Sequence, residues 1–430
     1  MKRLLLALAV GLCGCDTSSK CAQRESDSCL REAPPGVLVA KSSLARQPQP
    51  STANVARLGA DNGELATQLF KLAAQEPGNV LLSPYSVSTA LAMTYAGARG
   101  TTESEMKKAL AFKLDPAALH EAFNATDLAL SSRGANQAGA DGTPFRLNVD
   151  NSIWVQQDYD VVPAFLDALA VNYGAAVYQA DFEGEPEQAR TAINGWVEDK
   201  TEQLIPELLQ PGVIHPLVRF VLTNTVYFNA SWKAKFEQEA TRPQAFRKRD
   251  GSSVNVDMMH GGFTLPYAEN DVWQAVSIPY ASEELSLIAV LPREGQLSRV
   301  ESGFDVSAIA GALEPASVQL GFPKLDYRFQ IKLKEALMAL GMNVPFSPAA
   351  DFSGMTSGGV SIDNVIHEAV IRVFEGGTIA AAATAVVVKD ESEEYYEHTL
   401  TLDRPFLYAI YDRPTGTVLF VGRVQDPTEK

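Results

Sequence analysis

Residues 375–388 have the sequence EGGTIAAAATAVVV, which carries no charged side chain after its first residue. The following residues, 389–397, set five acidic side chains against one lysine. The first segment has the composition of a buried element and the second that of a solvated one. Ordinary surface loops are not apolar over such a length, because their backbone stays in contact with water. The sequence therefore places a segment suited to burial directly beside one suited to solvent.

Two secondary structures remain open for residues 379–388. Alanine leads the helix propensity scale, which favours an Ala-rich helix. The entry through two glycines and the exit through three β-branched valines favour a strand. In a strand, the residues on one face would all be small or branched: Thr378, Ala380, Ala382, Thr384, Val386 and Val388. We therefore expect a conditional strand, which is able to enter an existing sheet.

The N-terminus has the features of an export signal. Two basic residues precede an apolar run at residues 4–12, which is too short to span a bilayer as a permanent helix. Residues 12–15, LCGC, resemble a bacterial lipobox in which Cys15 carries the lipid. We expect a lipoprotein signal peptide over residues 1–14 and a protein anchored by lipid in the bacterial cell envelope or at the cell surface. The alternative is a plain signal peptide and a secreted protein.

The composition divides the rest of the chain into two parts. Residues 15–57 are rich in Ser, Ala, Pro and Gln, which predicts a disordered tether. All four cysteines lie at or before Cys29, and Cys21 and Cys29 either form a disulfide or remain thiols. Residues 58–430 have globular composition without a second linker, which favours one large domain.

The charge of the chain excludes several classes of partner. The formal net charge is −16, and nothing in the sequence forms a dense basic cluster. Arg247, Lys248 and Arg249 come closest, but Asp250 follows at once, which indicates a solvated turn. We therefore expect no binding to nucleic acid, to heparin-like polymers or to anionic membrane surfaces.

Helices are predicted first and mostly strands afterwards, which indicates an α+β fold. Caps at Asp61 and Asn62, at Ser83 before Pro84, and a capping box of Thr102 with Glu105 predict three helices. A further helix is predicted over residues 329–340. Strands are predicted at residues 148–156, 219–229, 272–279 and 285–291, with a hairpin over 405–424.

Several long motifs, all in one order, resemble those of the serpin family. They are NVLLSPYS at residues 79–86, ALAM at 90–93, GARGTT at 97–102, NTVYFNASW at 224–232 and FVGRV at 420–424, together with the segment at 375–388. The resemblance covers nearly all of the domain. It implies a serpin fold with three β-sheets, about nine helices and an exposed reactive-centre loop, in a monomer that needs no cofactor and no metal.

The resemblance also implies a function, which is suicide inhibition of serine endopeptidases, with cysteine endopeptidases as a second class. A target protease would cleave the loop and be trapped as a covalent acyl-enzyme when the cleaved loop inserts into the central sheet. Three groups of residues would carry this mechanism. The hinge of the loop would be Glu375, Gly377, Thr378, Ala380 and Ala382. A polar cluster below the opening of the sheet, the shutter, would be Ser83, Ser86, Asn224 and His367. At the top of the sheet, the breach would contain Trp232, with Lys324 paired to Glu375.

The position of the cleaved bond depends on how the loop is counted. Counting from Glu375, as the family does, places the bond between Glu391 and Ser392. Counting back from the C-terminal strands places it between Glu394 and Tyr395, because this loop is slightly longer than the common form. We favour the first count, since the length of the inserted strand fixes where the protease ends. An acidic residue before the bond suggests a target with a basic specificity pocket, and the target class remains open.

Three residues depart from the family pattern, namely Phe374, Gly376 and Ile379. Because none of them is a proline or places a charge on the inserting face, we expect inhibition to survive. The alternative is a non-inhibitory serpin that acts as a surface binding or storage protein. An enzyme is not expected, since the five histidines lack partners, His367-Glu368 does not continue into a zinc-protease motif, and the sequence contains no Gly-x-Ser-x-Gly.

Overall fold

The computed structural model describes residues 33–46, 52–134, 137–139, 142, 145–378 and 396–430. Within these residues the chain forms nine α-helices and two mixed sheets, which confirms the α+β class. The helices are α1 (Thr52–Ala73), α2 (Pro84–Tyr95), α3 (Gly100–Ala109), α4 (Pro116–Ser131), α5 (Pro163–Tyr173), α6 (Pro186–Lys200), α7 (Leu297–Ser302), α8 (Val306–Ala312) and α9 (Lys334–Ala339). No helix in the described ranges is both long enough and apolar enough to cross a bilayer.

The strands follow the predicted order, with the predicted strands found close to their expected bounds. They are β1 (Leu38–Ala40), β2 (Val80–Leu82), β3 (Arg146–Gln156), β4 (Val177–Ala180), β5 (Phe220–Ser231), β6 (Arg242–Arg247), β7 (Ser253–Glu269), β8 (Trp273–Pro279), β9 (Leu285–Pro292), β10 (Glu314–Pro323), β11 (Leu325–Lys332), β12 (Asn364–Phe374), β13 (Gly377–Thr378), β14 (His398–Thr401), β15 (Phe406–Asp412) and β16 (Thr417–Val424).

Sheet A contains seven strands of the described chain, in the order β1-β4-β3-β5-β13-β12-β11. Five of them are long enough to form the body of the sheet, and β1 and β13 are short additions at the edge and in the middle. All 12 residues of β5 are buried, so both faces of this strand are covered. Sheet A is the part of the fold that positions the candidate site.

Three sheets were expected, and the described residues form two. Sheet B is one continuous sheet where two separate ones were expected. Its strand order in the described residues is β14-β10-β7-β8-β9-β15-β16-β2, and β6 pairs with β7. The two parts are continuous because β7, with 17 residues, is long enough to serve both. Its first residues pair with β6, residues 258–267 pair with β10, and its last residues pair with β8.

Helix α2 lies in the core and contacts both sheets. Ser83 accepts a hydrogen bond from the backbone of Ser86, and Pro84 occupies the first helical position, as the sequence predicted. All residues of α2 are buried, and the helix packs against β3, β5 and β16. Because α2 carries Ser83 and Ser86, it brings them beneath sheet A.

The region before the domain differs from the predicted tether of residues 15–57. Residues 38–40 form β1, which pairs antiparallel with β4, and α1 begins at Thr52. Ser42 and Arg46 then bind helices α4 and α5: the Arg46 guanidinium lies 2.7 Å from Asp127, and Ser42 lies 2.5 Å from Asp167. The Ser- and Pro-rich composition of this region did not indicate the short apolar segment that forms a strand at the sheet edge.

Two predicted caps are wrong because their polar side chains bind distant parts of the chain. Asp61 and Asn62 lie inside α1 rather than at its start, and their side chains accept hydrogen bonds from the backbone of Lys113 and Val418. The capping box is also absent at the start of α3, within the described residues. Thr102 and Glu105 instead accept hydrogen bonds from the backbone at residues 351 and 343–344.

Only the second half of the helix predicted over residues 329–340 is helical, and the first half is a strand. β11 extends to Lys332, and only Lys334–Ala339 is helical. Phe329 lies opposite Ala369 and Ile331 opposite His367 in the ladder with β12. Pairing with β12 therefore overrides the local helical pattern.

Candidate functional site: the hinge and the opening of sheet A

The described residues at the start of the hinge lie in sheet A. β13 pairs antiparallel with β12 on one side and with β5 on the other, so that Gly377 lies opposite both Phe374 and Ser231. A turn at residues 375–376 joins β12 to β13. Gly377 has φ of 153°, a conformation that residues with a side chain rarely adopt. The two residues of β13 thus occupy the position of a central strand.

Glu375 is held in this turn from two sides. Lys324 Nζ lies 2.8 Å from its Oε1, and the Thr241 hydroxyl donates to the same oxygen at 2.6 Å. Its backbone carbonyl also accepts from the amide of Phe236 at 3.1 Å. Burial opposes ionisation of the carboxyl, but the hydrogen bonds from Lys324 and Thr241 outweigh it and lower the pKa of Glu375. Glu375 therefore fixes the hinge as a carboxylate.

Trp232 binds the backbone of the same turn. Its indole Nε1 donates to the carbonyl of Phe374 at 3.0 Å, and its backbone amide donates to Gly376 at 3.0 Å. The indole ring stacks on Tyr280 with 4.6 Å between ring centroids. The structure thus brings Trp232, Lys324 and Glu375 together around the turn that precedes the hinge.

The four polar residues expected below the opening also lie together. His367 Nε2 accepts from the backbone amide of Ser83 at 3.0 Å, so Nδ1 carries the proton and donates to Asn224 Oδ1 at 2.7 Å. The amide nitrogen of Asn224 donates to Ser86 Oγ and, at 2.5 Å, to Asn151 Oδ1. Burial lowers the pKa of His367 to about 4. Both of its ring nitrogens serve structural hydrogen bonds, which leaves neither for acid–base chemistry.

Strands β5 and β12 touch only at the lower part of sheet A, within the described residues. They pair in parallel over residues 221–224 of β5 and 364–367 of β12, and the last pair is Asn224 with His367. Above it, β13 separates them at residues 230–231 of β5. The polar cluster therefore lies at the point where the two strands part.

Several predicted site residues lie outside the described residues: Cys15, Ala380, Ala382, Glu391, Ser392, Glu394 and Tyr395. Three residues of the site were missed, namely Asn151, Thr241 and Tyr280. No local pattern distinguishes them from other strand or core residues, and only their tertiary contacts reveal them. No group of three or more His, Cys, Asp or Glu side chains suited to a metal ion occurs in the part of the chain that is described.

Comparison with known proteins gives one consistent family. The family model described as serpin (serine protease inhibitor) matches residues 60–427. An uncharacterized serpin-like protein of Thermococcus kodakarensis is 37% identical over 84% of this chain and 84% of its own length. The leukocyte elastase inhibitor of Bos taurus is 33% identical over 86% of this chain and 100% of its own length.

Solved structures agree. The thermophilic serpin tengpin in its native state aligns with a TM-score of 0.79 and 28% identity, over 90% of this chain and 97% of that one. Thyroxine-binding globulin in complex with thyroxine aligns with a TM-score of 0.75 and 27% identity, over 87% and 100%. Because the family model spans most of the residues and the fold agrees, this chain belongs to the serpin family.

Proposed function

We propose that this chain is a suicide inhibitor of serine endopeptidases, which traps the acyl-enzyme by inserting its cleaved loop into sheet A between β5 and β12. Serpins are largely protease inhibitors rather than enzymes, and one similar protein is named as an elastase inhibitor. The observation that carries the proposal is the position of β13. It already occupies the first two positions of the central strand that insertion would complete.

The strand pairing supports insertion without a shift of register. If β13 is continued residue by residue, Thr384 falls opposite Asn224 on β5 and His367 on β12. Those two residues are already partners in the resting molecule. The two strands therefore need only move apart sideways to accept the new strand, and neither must slide along its own axis.

The length of the slot supports the same proposal. Continued in this register, residues 377–388 would lie opposite β5 from Ser231 down to Phe220, which is its full length. Lys389, the first charged residue of the loop, would fall just beyond the end of β5. The uncharged part of the loop thus matches the strand beside which it would be buried.

Insertion would release free energy. About a dozen residues would gain ladder hydrogen bonds at roughly 1 kcal/mol each, while the short parallel contact and the polar cluster would be lost. The gain is on the order of ten kcal/mol, which rivals the stability of an ordinary domain.

The chemistry belongs to the protease. Its nucleophile would attack the carbonyl carbon of Glu391, forming an ester and releasing the amine of Ser392. Insertion before hydrolysis of that ester would carry the enzyme along a strand of 14 residues, or about 46 Å at ~3.3 Å per residue. The pairing register supports Glu391–Ser392 over Glu394–Tyr395, because the uncharged run ends close to it. A glutamate before the bond suits a protease with a basic specificity pocket.

A protease panel tests this function. Glutamyl-, aspartyl-, tyrosyl- and elastase-type endopeptidases are mixed with the protein, and covalent complexes that survive boiling in detergent are sought. We expect such a complex with an enzyme that cleaves after acidic residues, and mass spectrometry of the released C-terminal fragment gives the bond. Cleavage by every protease without a complex, with equal unfolding temperatures before and after cleavage, would establish a non-inhibitory serpin.

We also propose that the protein is exported and anchored by lipid on Cys15. The support is the LCGC sequence after a short apolar run. Growth of an expressing bacterium with an alkyne fatty acid should label the wild type and Cys13→Ala but not Cys15→Ala. Labelling of Cys15→Ala would place the lipid on another residue, and no labelling of the wild type would leave a secreted protein without a lipid anchor.

A further inference from the structure

Tyr280 makes the deepest contact of the hinge. Its hydroxyl lies 2.7 Å from Thr378 Oγ1, and both side chains are buried. The Tyr280 ring is fixed by stacking on Trp232 and by an edge contact with Phe228 at 4.9 Å. The backbone of Tyr280 also bridges to Trp232, just beyond the end of β5. The Tyr280 hydroxyl is therefore held in place against Thr378, the only residue of β13 that has a side chain.

We propose that Tyr280 is a positioning residue for loop insertion, whose hydroxyl holds Thr378 in sheet A and thereby sets the register from which insertion proceeds. The inference rests on the proposed function and adds to it a residue that the sequence did not indicate. The Tyr280 contact is present before cleavage. It therefore adds nothing to the free energy released later, and its effect lies in the rate at which insertion begins.

Each hydroxyl is the hydrogen-bond partner of the other. Thr378→Val would leave the buried Tyr280 hydroxyl without its partner, and Tyr280→Phe would leave the buried Thr378 hydroxyl without its partner. Either change disfavours the seated hinge. Replacing both removes both hydroxyls and leaves neither unpaired. The double variant should therefore recover part of what each single variant loses.

Two readouts test the proposal: hydrogen exchange of the Thr378 amide in the uncleaved protein, and the ratio of cleaved free inhibitor to covalent complex. We expect Thr378→Val and Tyr280→Phe each to raise both about tenfold, and the double variant to raise them only about threefold. Thr378→Ser, which keeps the hydroxyl, should recover most of what Thr378→Val loses. Additive effects in the double variant, or no effect of Thr378→Val, would overturn the proposal.

Tyr408→Phe is the matched control, because the Tyr408 hydroxyl is also buried and lies 2.6 Å from another tyrosine hydroxyl, that of Tyr327. We expect it to lower the unfolding temperature without changing either readout. An equal change in Tyr408→Phe would assign the effect to general stability and overturn the proposal. If the wild type forms no covalent complex with any protease, the proposed function fails, and amide exchange at Thr378 still decides the role of Tyr280.

Discussion

His367 Nδ1 lies 2.7 Å from Oδ1 of Asn224, in the last residue pair that joins β5 to β12. A strand entering from the hinge would place Thr384 between these two side chains. The hydrogen bond must therefore break before insertion is complete. Protonation of His367 would break its other hydrogen bond, in which Nε2 accepts from the Ser83 amide, so the polar cluster at the opening of the sheet is linked to pH.

Acid should accelerate spontaneous insertion of the uncleaved loop. The pKa of His367 falls to about 4 in the fold, from an ordinary value near 6.5. The unfolded or opened state thus binds a proton more readily, and the stabilisation of the closed sheet is lost as the pH falls from about 6.5 to about 4. The loss reaches up to about 3 kcal/mol. The measurement is the rate of conversion to a heat-stable form at pH 7.5 and pH 5.

His120 supplies the control for this prediction. Burial also lowers its pKa to about 4, but it binds the Tyr173 hydroxyl, away from the two strands that part. His120→Asn should keep the acid acceleration, and His367→Asn should lose most of it. Equal pH profiles in the two variants would show that general acid unfolding is responsible.

Lys324→Ala should loosen the hinge. Glu375 is nearly buried, so removal of Lys324 leaves its carboxylate without a countercharge, although Thr241 still donates to it. The half-exposed position of Lys324 limits the cost to about 1–2 kcal/mol. We expect faster spontaneous insertion on heating, whereas Lys233→Ala, which breaks an exposed pair with Glu283, should leave the rate unchanged. An unchanged rate in Lys324→Ala would contradict the prediction.

Thr378→Arg should convert the inhibitor into a substrate. The side chain at 378 is buried between β5 and β12, where an arginine has neither room nor a countercharge. Cleavage would continue while the covalent complex falls by at least about tenfold on a detergent gel. Native far-UV circular dichroism would show that the variant is folded. Inhibition equal to that of the wild type would refute insertion through β13.

Arg46→Ala should destabilise the domain from its N-terminal side. Arg46 lies 2.7 Å from Asp127 and donates to Asn124 at 2.8 Å, and so joins the segment before α1 to α4. Burial raises the pKa of Asp127, which makes its ionised form costly without this partner. We expect a loss of about 1–2 kcal/mol in urea unfolding. Arg146→Ala, in an exposed pair with Glu202, should change stability by less than about 0.5 kcal/mol.

The sequence predicted helices and strands well where the sequence pattern was confined to neighbouring residues or extended over many residues. Helix α2 has its cap and its proline side by side at residues 83–84, and β5 has a long strand signal over residues 219–229. Asp61 and Thr102 misled because a side chain that can cap a helix can equally bind a distant backbone amide. Only the folded chain decides between these two partners.

The residues of the candidate site also fall into those that were predicted and those that were missed. Lys324 and Glu375 are far apart in sequence, and they were named through resemblance to the family rather than through any local pattern. Tyr280 and Thr241 lie beside the same hinge, yet nothing in their own neighbourhoods indicates it. β1 was missed because three residues in a Ser- and Pro-rich stretch give too weak a periodicity.

The direction of β1 bears on how the protein would face its surroundings. Through β4 and β3, Leu38 lies level with Phe220, at the start of β5, whereas the hinge lies level with Ser231 at its end. These levels are about 36 Å apart at ~3.3 Å per residue. If Cys15 bears a lipid, the described chain leads from the attachment point to the end of sheet A opposite the hinge. The first contact of the domain with its anchor would then be at the end of the sheet farthest from Gly377.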